Sequence, residues 1–276
     1  MLVLKRIGRQ AGRFVLPLAL AVLWQAAAIW LDKQTVLPRL DAVAAVLFHP
    51  TEKILITGSL LENMAISLLR VILGFLLAVL TAVPLGLAMG YFKRVNHMVD
   101  STVEMLRPIP PLAWVPLILA WLGIRGVPDI FPFLATSPIW SGIQFSTLII
   151  IFIGAFFPIL LNTIQGVRSI PREYIESART LGAKGLPLLV KILIPASLPL
   201  IVTGLRIGLG IGWMCLVAAE MMPGSSSGLG YLIWYAYELL RADIIVAGMV
   251  AIGAIGFIMD RGFRWLEGKL FWGGMG

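Results

Sequence analysis

Long apolar runs separated by short polar breaks dominate the chain, and neither a strict two-residue alternation nor a sustained heptad is visible. A helix crossing the hydrocarbon layer needs about 20 mainly apolar residues at about 1.5 Å each. Six stretches meet that requirement, at 14–31, 68–91, 105–122, 144–163, 197–221 and 243–260. The pattern therefore predicts an all-α, polytopic membrane protein with six transmembrane helices. The first stretch follows Lys5, Arg6, Arg9 and Arg13, like a signal peptide. Its apolar part exceeds a secretory core and more spans follow, so an uncleaved first span is expected.

Between the spans, residues 51–67 mix polar and apolar positions and predict a helix lying at the outer interface. Residues 123–143, rich in Pro, Gly and Ser, predict a loop or short re-entrant piece. Tyr231, Trp234, Tyr235 and Tyr237 form an aromatic set suited to the interface belt.

Composition agrees: 59% of the 276 residues are hydrophobic and only 13% charged, against about 25% charged in soluble domains. No stretch is left for a separate soluble domain, so residues 1–276 are read as one membrane domain. The net charge of +8 does not point to nucleic acid, because the cations gather at the ends of apolar runs without interleaved stacking aromatics. Most of the 22 lysines and arginines fall before the first span, after the second and fourth, and after the sixth. The positive-inside rule places those segments, with both termini and residues 164–196, in the cytoplasm. Cys215, alone in the chain, excludes an intrachain disulfide.

Residues 164–196 hold the most informative polar stretch, YIESARTLGAKGLPLLVKILIPASLP at 174–199. Pro171 suits a helix start and Gly182 the position just past a helix end. Between them Tyr174, Ala178 and Leu181 make an apolar stripe, with Arg172, Glu176 and Arg179 on the other face. A second helix is expected from Pro187 to Pro195. Glu176, Ala178, Gly182, Ile192 and Pro195 match the signature Glu-Ala-Ala, three residues, Gly, nine residues, Ile, one residue, Leu-Pro, with Ser177 in place of one Ala and Ile194 in place of the Leu. That signature belongs to the permeases of ABC importers. The stretches 67–90, 106–124 and 203–222 likewise resemble the nitrate/sulfonate/taurine branch of those permeases.

The resemblance implies the type I importer permease architecture in a bacterial-type inner membrane. It also implies that Arg172, Glu176, Ser177, Ala178, Arg179 and Gly182 form the coupling helix. That helix would seat in one of two cytosolic ATPase subunits, beside a second permease copy, with an extracytoplasmic substrate-binding protein delivering a nitrate, sulfonate or bicarbonate-class oxyanion. No cofactor would be held by this chain, ATP and Mg belonging to the ATPase; no Walker motif occurs in it.

The pathway is less marked. Trp114 lies among Pro108, Pro110, Pro111 and Pro116, where a kinked helix could form a deformable wall. Arg70, Arg206 and Glu220, followed by Met221 and Met222, are ionisable or soft groups near span ends; snorkelling to interfacial water is the structural reading for the charged ones. GLGIGW at 208–213 lacks the preceding strand of a dinucleotide fingerprint. Gly204, Gly208 and Gly212 instead predict close helix packing, with a second permease copy as a candidate partner. PGSSSGLG at 223–230 reads as a turn whose amides could meet an anion, and His49 and His97 fall on opposite sides. The competing class is an ion-coupled secondary transporter or channel, which would place acidic or His residues at the midplane. A membrane enzyme would need a catalytic cluster that the sequence lacks.

Overall fold

The computed structural model describes residues 2–123, 125–126, 129, 140, 142–222 and 224–272. The chain forms α1 (Leu2–Leu31), α2 (Leu40–Phe48), a short antiparallel hairpin of β1 (Lys53–Leu55) and β2 (Gly58–Ser59), α3 (Leu60–Tyr91) and α4 (Lys93–Leu106). A single 3-10 turn, Pro111–Trp114, leads into α5 (Val115–Leu122). Then come α6 (Phe145–Arg168), α7 (Arg172–Thr180), a helical turn at Leu186–Leu188 and a π-helical segment, Leu189–Leu193. That segment runs into α8 (Ile194–Glu220), followed by α9 (Leu229–Glu238) and α10 (Ala242–Trp272).

Among the described residues, four helical stretches are long and apolar enough to cross a membrane: Leu60–Tyr91, Phe145–Arg168, Leu189–Glu220 and Ala242–Lys269. In the first helix the apolar part, Val15–Leu31, is shorter. The expected third span is not one straight helix from 105. The α4 helix ends at Leu106, and the pair Lys93–Leu106 and Pro111–Leu122 is bent by 84°. Pro108, Pro110 and Pro111 remove the backbone donors a continuous helix would need there. The segment at 123–143 falls largely outside the described residues.

The helix expected at 51–67 is also revised. Ile56 and Thr57 make the hairpin turn, Gly58 follows it at φ +93°, and Ser59 starts α3 as one half of a capping box with Glu62. Residues 60–67 are therefore the first two turns of a span. Nor does the helix opened by Pro187 stop at Pro195. The π-helical segment absorbs that proline, the Ile194 N–H donating to the Leu189 carbonyl five residues back, and the helix continues to Glu220.

At the centre lie α3, α6 and α8. A Cβ added to Gly74, Gly86 or Gly90 of α3 would meet Ile151, Thr163 or Val167 of α6 at 2.7, 2.7 and 2.6 Å. The offset between each pair is constant, so α3 and α6 run parallel, and the chain between them must return from one end of the bundle to the other. Across the second contact the order reverses: Gly204, Gly208 and Gly212 of α8 face Asn162, Ile159 and Ile151. The small-residue face is thus used within the chain, against α6, rather than left for a second copy. Gly154 and Gly166 of α6 return the fit, against Cys215 and Ser197. Between apolar helices in lipid, such close backbone approach supplies the packing that hydrophobic transfer does not.

Replacement of Gly86 by leucine is expected to push α3 off α6 and destabilise the protein by about 1–3 kcal/mol. Gly210→Ala, where an added Cβ meets nothing within 4 Å, should leave thermal unfolding in detergent unchanged. Equal melting temperatures for the two variants would contradict this packing.

Candidate functional site

Two polar assemblies sit at opposite ends of the three-helix core. The first is built on α7. Pro171 precedes the helix and Gly182 stops it: the Gly182 N–H donates to Arg179 O at 3.0 Å and the Ala183 N–H to Ala178 O at 2.9 Å. With Gly182 at φ +87°, this is a Schellman stop, which explains why the signature needs glycine there. The buried face of α7 is Ala178 with Ile175 beside it. Tyr174 and Leu181, expected on that face, are instead 67% and 89% exposed. The core contact therefore follows an i, i+3 step from Ile175, and the two larger apolar side chains face outward.

Arg172, Glu176 and Arg179 line a groove of about 640 Å³ between α7 and the ends of α3, α4 and α6. Arg179 donates to the Tyr91 hydroxyl at 3.0 Å, a contact that raises its pKa above the ordinary guanidinium value. Arg168 donates to Asn96 Oδ1 at 2.6 Å. Ser177 is exposed, and a Cβ at Gly182 would meet nothing within 4 Å. The structure thus brings all six predicted lever residues onto one short helix and its stop.

The second assembly surrounds Arg70 and Glu220. Snorkelling to interfacial water was the structural alternative to a pathway role for both; instead both are fully buried, paired at 2.7 Å. Arg70 Nη1 also donates to Ser227 O at 2.7 Å, Nη2 to Ser227 Oγ at 2.9 Å, and Nε to Gly142 O at 3.0 Å. Ser67 Oγ lies 2.9 Å from each carboxylate oxygen, and the Gly230 N–H donates to Oε2 at 3.0 Å. Every nitrogen of the guanidinium and both oxygens of the carboxylate are engaged, which is what allows the two charges to stay out of water.

One amide of the segment 224–230, that of Gly230 in the first turn of α9, reaches an anion, and that anion is the chain's own Glu220. Gly228 donates to Asn63 Oδ1 at 2.7 Å and Leu229 to Ser67 Oγ at 2.9 Å. Gly228 has φ +109°, and a Cβ there would collide with the Glu220 carboxylate. Sequence reasoning missed Asn63 and Ser67. Their signal was present: Asn63, Ser67 and Arg70 recur at i, i+4 and i+7, a polar stripe on one face of an apolar helix.

The remaining pathway candidates are scattered. Arg206 pairs with Glu267 of α10 at 3.1 Å, both partly exposed. It lies 14 residues from Glu220 along α8, about 21 Å at 1.5 Å per residue. Trp114 is half-buried against Val115, Ile150 and Cys215, and its Nε1 has no hydrogen-bond partner among the described residues. Met221 follows α8 as its cap, its N–H donating to Val217 O. His49 and His97 line separate grooves.

A short helix carrying the permease signature, mounted on a tightly packed bundle of apolar helices, defines a membrane permease subunit. The model of the family described as "binding-protein-dependent transport system inner membrane component" matches residues 71–272. The chain belongs to that family, and is a multi-pass inner-membrane permease of an ABC transporter. It is 53% identical over 256 residues to a protein of Methanocaldococcus jannaschii assigned as an ABC transporter permease, covering 93% of this chain and 89% of that protein. The taurine transport system permease protein of Escherichia coli is 36% identical over 213 residues, 77% of this chain and 70% of that one. Among solved structures, an inward-facing methionine ABC transporter superposes with a TM-score of 0.57 at 16% identity, over 84% of this chain and 97% of that chain, a likeness of fold.

Removing one partner of the buried pair leaves the other charge unpaired, so Arg70→Met and Glu220→Met should each destabilise by about 3–5 kcal/mol. The double variant Arg70→Met/Glu220→Met should recover part of that loss, read as thermal unfolding in detergent. Additive losses in the double variant would contradict direct pairing.

Proposed function

We propose that this permease imports a small oxyanion by alternating access, driven by ATP hydrolysis on separate subunits. Two copies of the chain would pair, each with one cytosolic ATPase, and an extracytoplasmic binding protein would deliver the solute. ATP and Mg would be held by the ATPases, and this chain would bind no cofactor. The taurine permease among its relatives supports the sulfonate class as a first substrate to test.

What carries the reading is the outward face of α7. A nine-residue helix held to the bundle through Ala178 and Ile175 leaves Tyr174 and Leu181 uncovered, and apolar side chains so placed gain from being covered by a partner. Glu176 and Ser177 would supply polar groups at the rim of this face. Because the chain continues from α7 through one short turn and the π-helical segment into α8, a force on α7 passes directly to a core helix. An ion-coupled carrier would not need such a lever.

Reconstitution with the cognate ATPase and binding protein should give ATP-dependent uptake. Uptake on an ion gradient without any ATPase would overturn the reading. Gly182→Trp should lower ATP-driven uptake more than about tenfold while the protein still inserts, since the site is open and the left-handed backbone penalty is only about 1–2 kcal/mol. Unchanged uptake by that variant would remove α7 as the coupling element.

A further inference from the structure

The groove beneath α7 carries charge that the lever does not account for. Lys93, Arg168, Arg172 and Arg179 line it, against the single carboxylate of Glu176. Among the described residues none of these four cations makes an ion pair; Arg168 and Arg179 spend one donor each on the neutral Asn96 and Tyr91. Four cations converging on a concave space with one counter-charge favour an anionic occupant. The floor is apolar, made by Met89, Val167 and Ile170 at the ends of α3 and α6. Tyr174 and Leu181, the outward face of the lever, do not line it.

The helix forming the far wall is built to lie along a membrane surface. Val95, Val99 and Val103 of α4 pack on the core, at i, i+4 and i+8. Met98 and Met105, seven apart, form a neighbouring stripe that is 80% and 76% exposed, while Lys93 and His97 lie on the opposite flank, followed there by Asp100 and Glu104 further from the groove. The 84° bend separates this helix from the segment that enters the bundle. An amphipathic helix with a bare apolar stripe and a polar flank suits headgroup depth.

We propose that the groove between α7 and the ends of α3, α4 and α6 binds the phosphate of an acidic phospholipid, with Lys93, Arg168 and Arg172 contacting the phosphate oxygens. The volume suits one headgroup. Because Arg172 and Arg179 belong to α7, occupancy would link the composition of the inner leaflet to the seating of the lever.

The full chain, stripped of lipid in detergent, would be offered phosphatidylglycerol or phosphatidylcholine and the retained lipid counted by native mass spectrometry. Retention of phosphatidylglycerol should exceed that of phosphatidylcholine about tenfold. The variant Lys93→Gln/Arg168→Gln should lower it about tenfold, and Arg261→Gln/Lys269→Gln, an equal loss of charge elsewhere, should leave it unchanged. Should the first double variant fail to fold, Lys93→Gln alone is expected to lower retention about threefold. Equal retention of the two lipids, equal losses in both double variants, or displacement of phosphatidylglycerol by inorganic phosphate would each overturn the proposal. No step of the measurement uses ATP, so its outcome is separate from that of the transport assay.

Discussion

The structure depends on how closely α3, α6 and α8 approach one another. In lipid no water is released when two apolar helices meet, so their association rests on dispersion contact, which falls off within an ångström of the optimum. Glycines on all three helices remove the side chain where a neighbour's backbone or β-branched residue comes nearest. With that contact made, α6 is held between two partners, and both ends of the core become fixed platforms. One platform carries α7; the other encloses Arg70 and Glu220.

The two platforms use polar groups for opposite purposes. At the Arg70 end every donor and acceptor of the pair is spent inside the protein, so the assembly joins α3, α8 and the 224–230 loop into one unit. At the α7 end the cations and two large apolar side chains are left without intramolecular cover. A site that is closed holds a fold; a site that is open receives something. The charge pattern therefore distinguishes structure from contact surface more clearly than burial alone.

The sequence revealed some of this well and some not at all. The lever was legible because its signals are local: Pro171, Gly182 and the spacing around Glu176 fix the ends of one short helix. The long spans at 68–91, 144–163 and 243–260 were legible from apolar length, although each helix overshoots its apolar run. The Arg70–Glu220 pair was not legible, because its partners are 150 residues apart and each, taken alone, looks like a group near a span end. The partner of the Gly204, Gly208 and Gly212 face was misassigned for a related reason: a small-residue pattern declares that something comes close, not what. Tyr174 and Leu181 were misplaced because a nine-residue helix has too few turns for periodicity to separate its buried face from a second apolar face left exposed.

The fixed register between α3 and α6 acts as a mechanical detent. Gly74, Gly86 and Gly90 each sit opposite one particular side chain, so a slip by a single residue would set bulk against bulk at three places at once. Axial sliding is thereby blocked, and the two helices are tied to move together. Bending is left to the places where prolines interrupt the backbone ladder: Pro84 within α3, Pro158 within α6, the break between α4 and α5, and the base of α8.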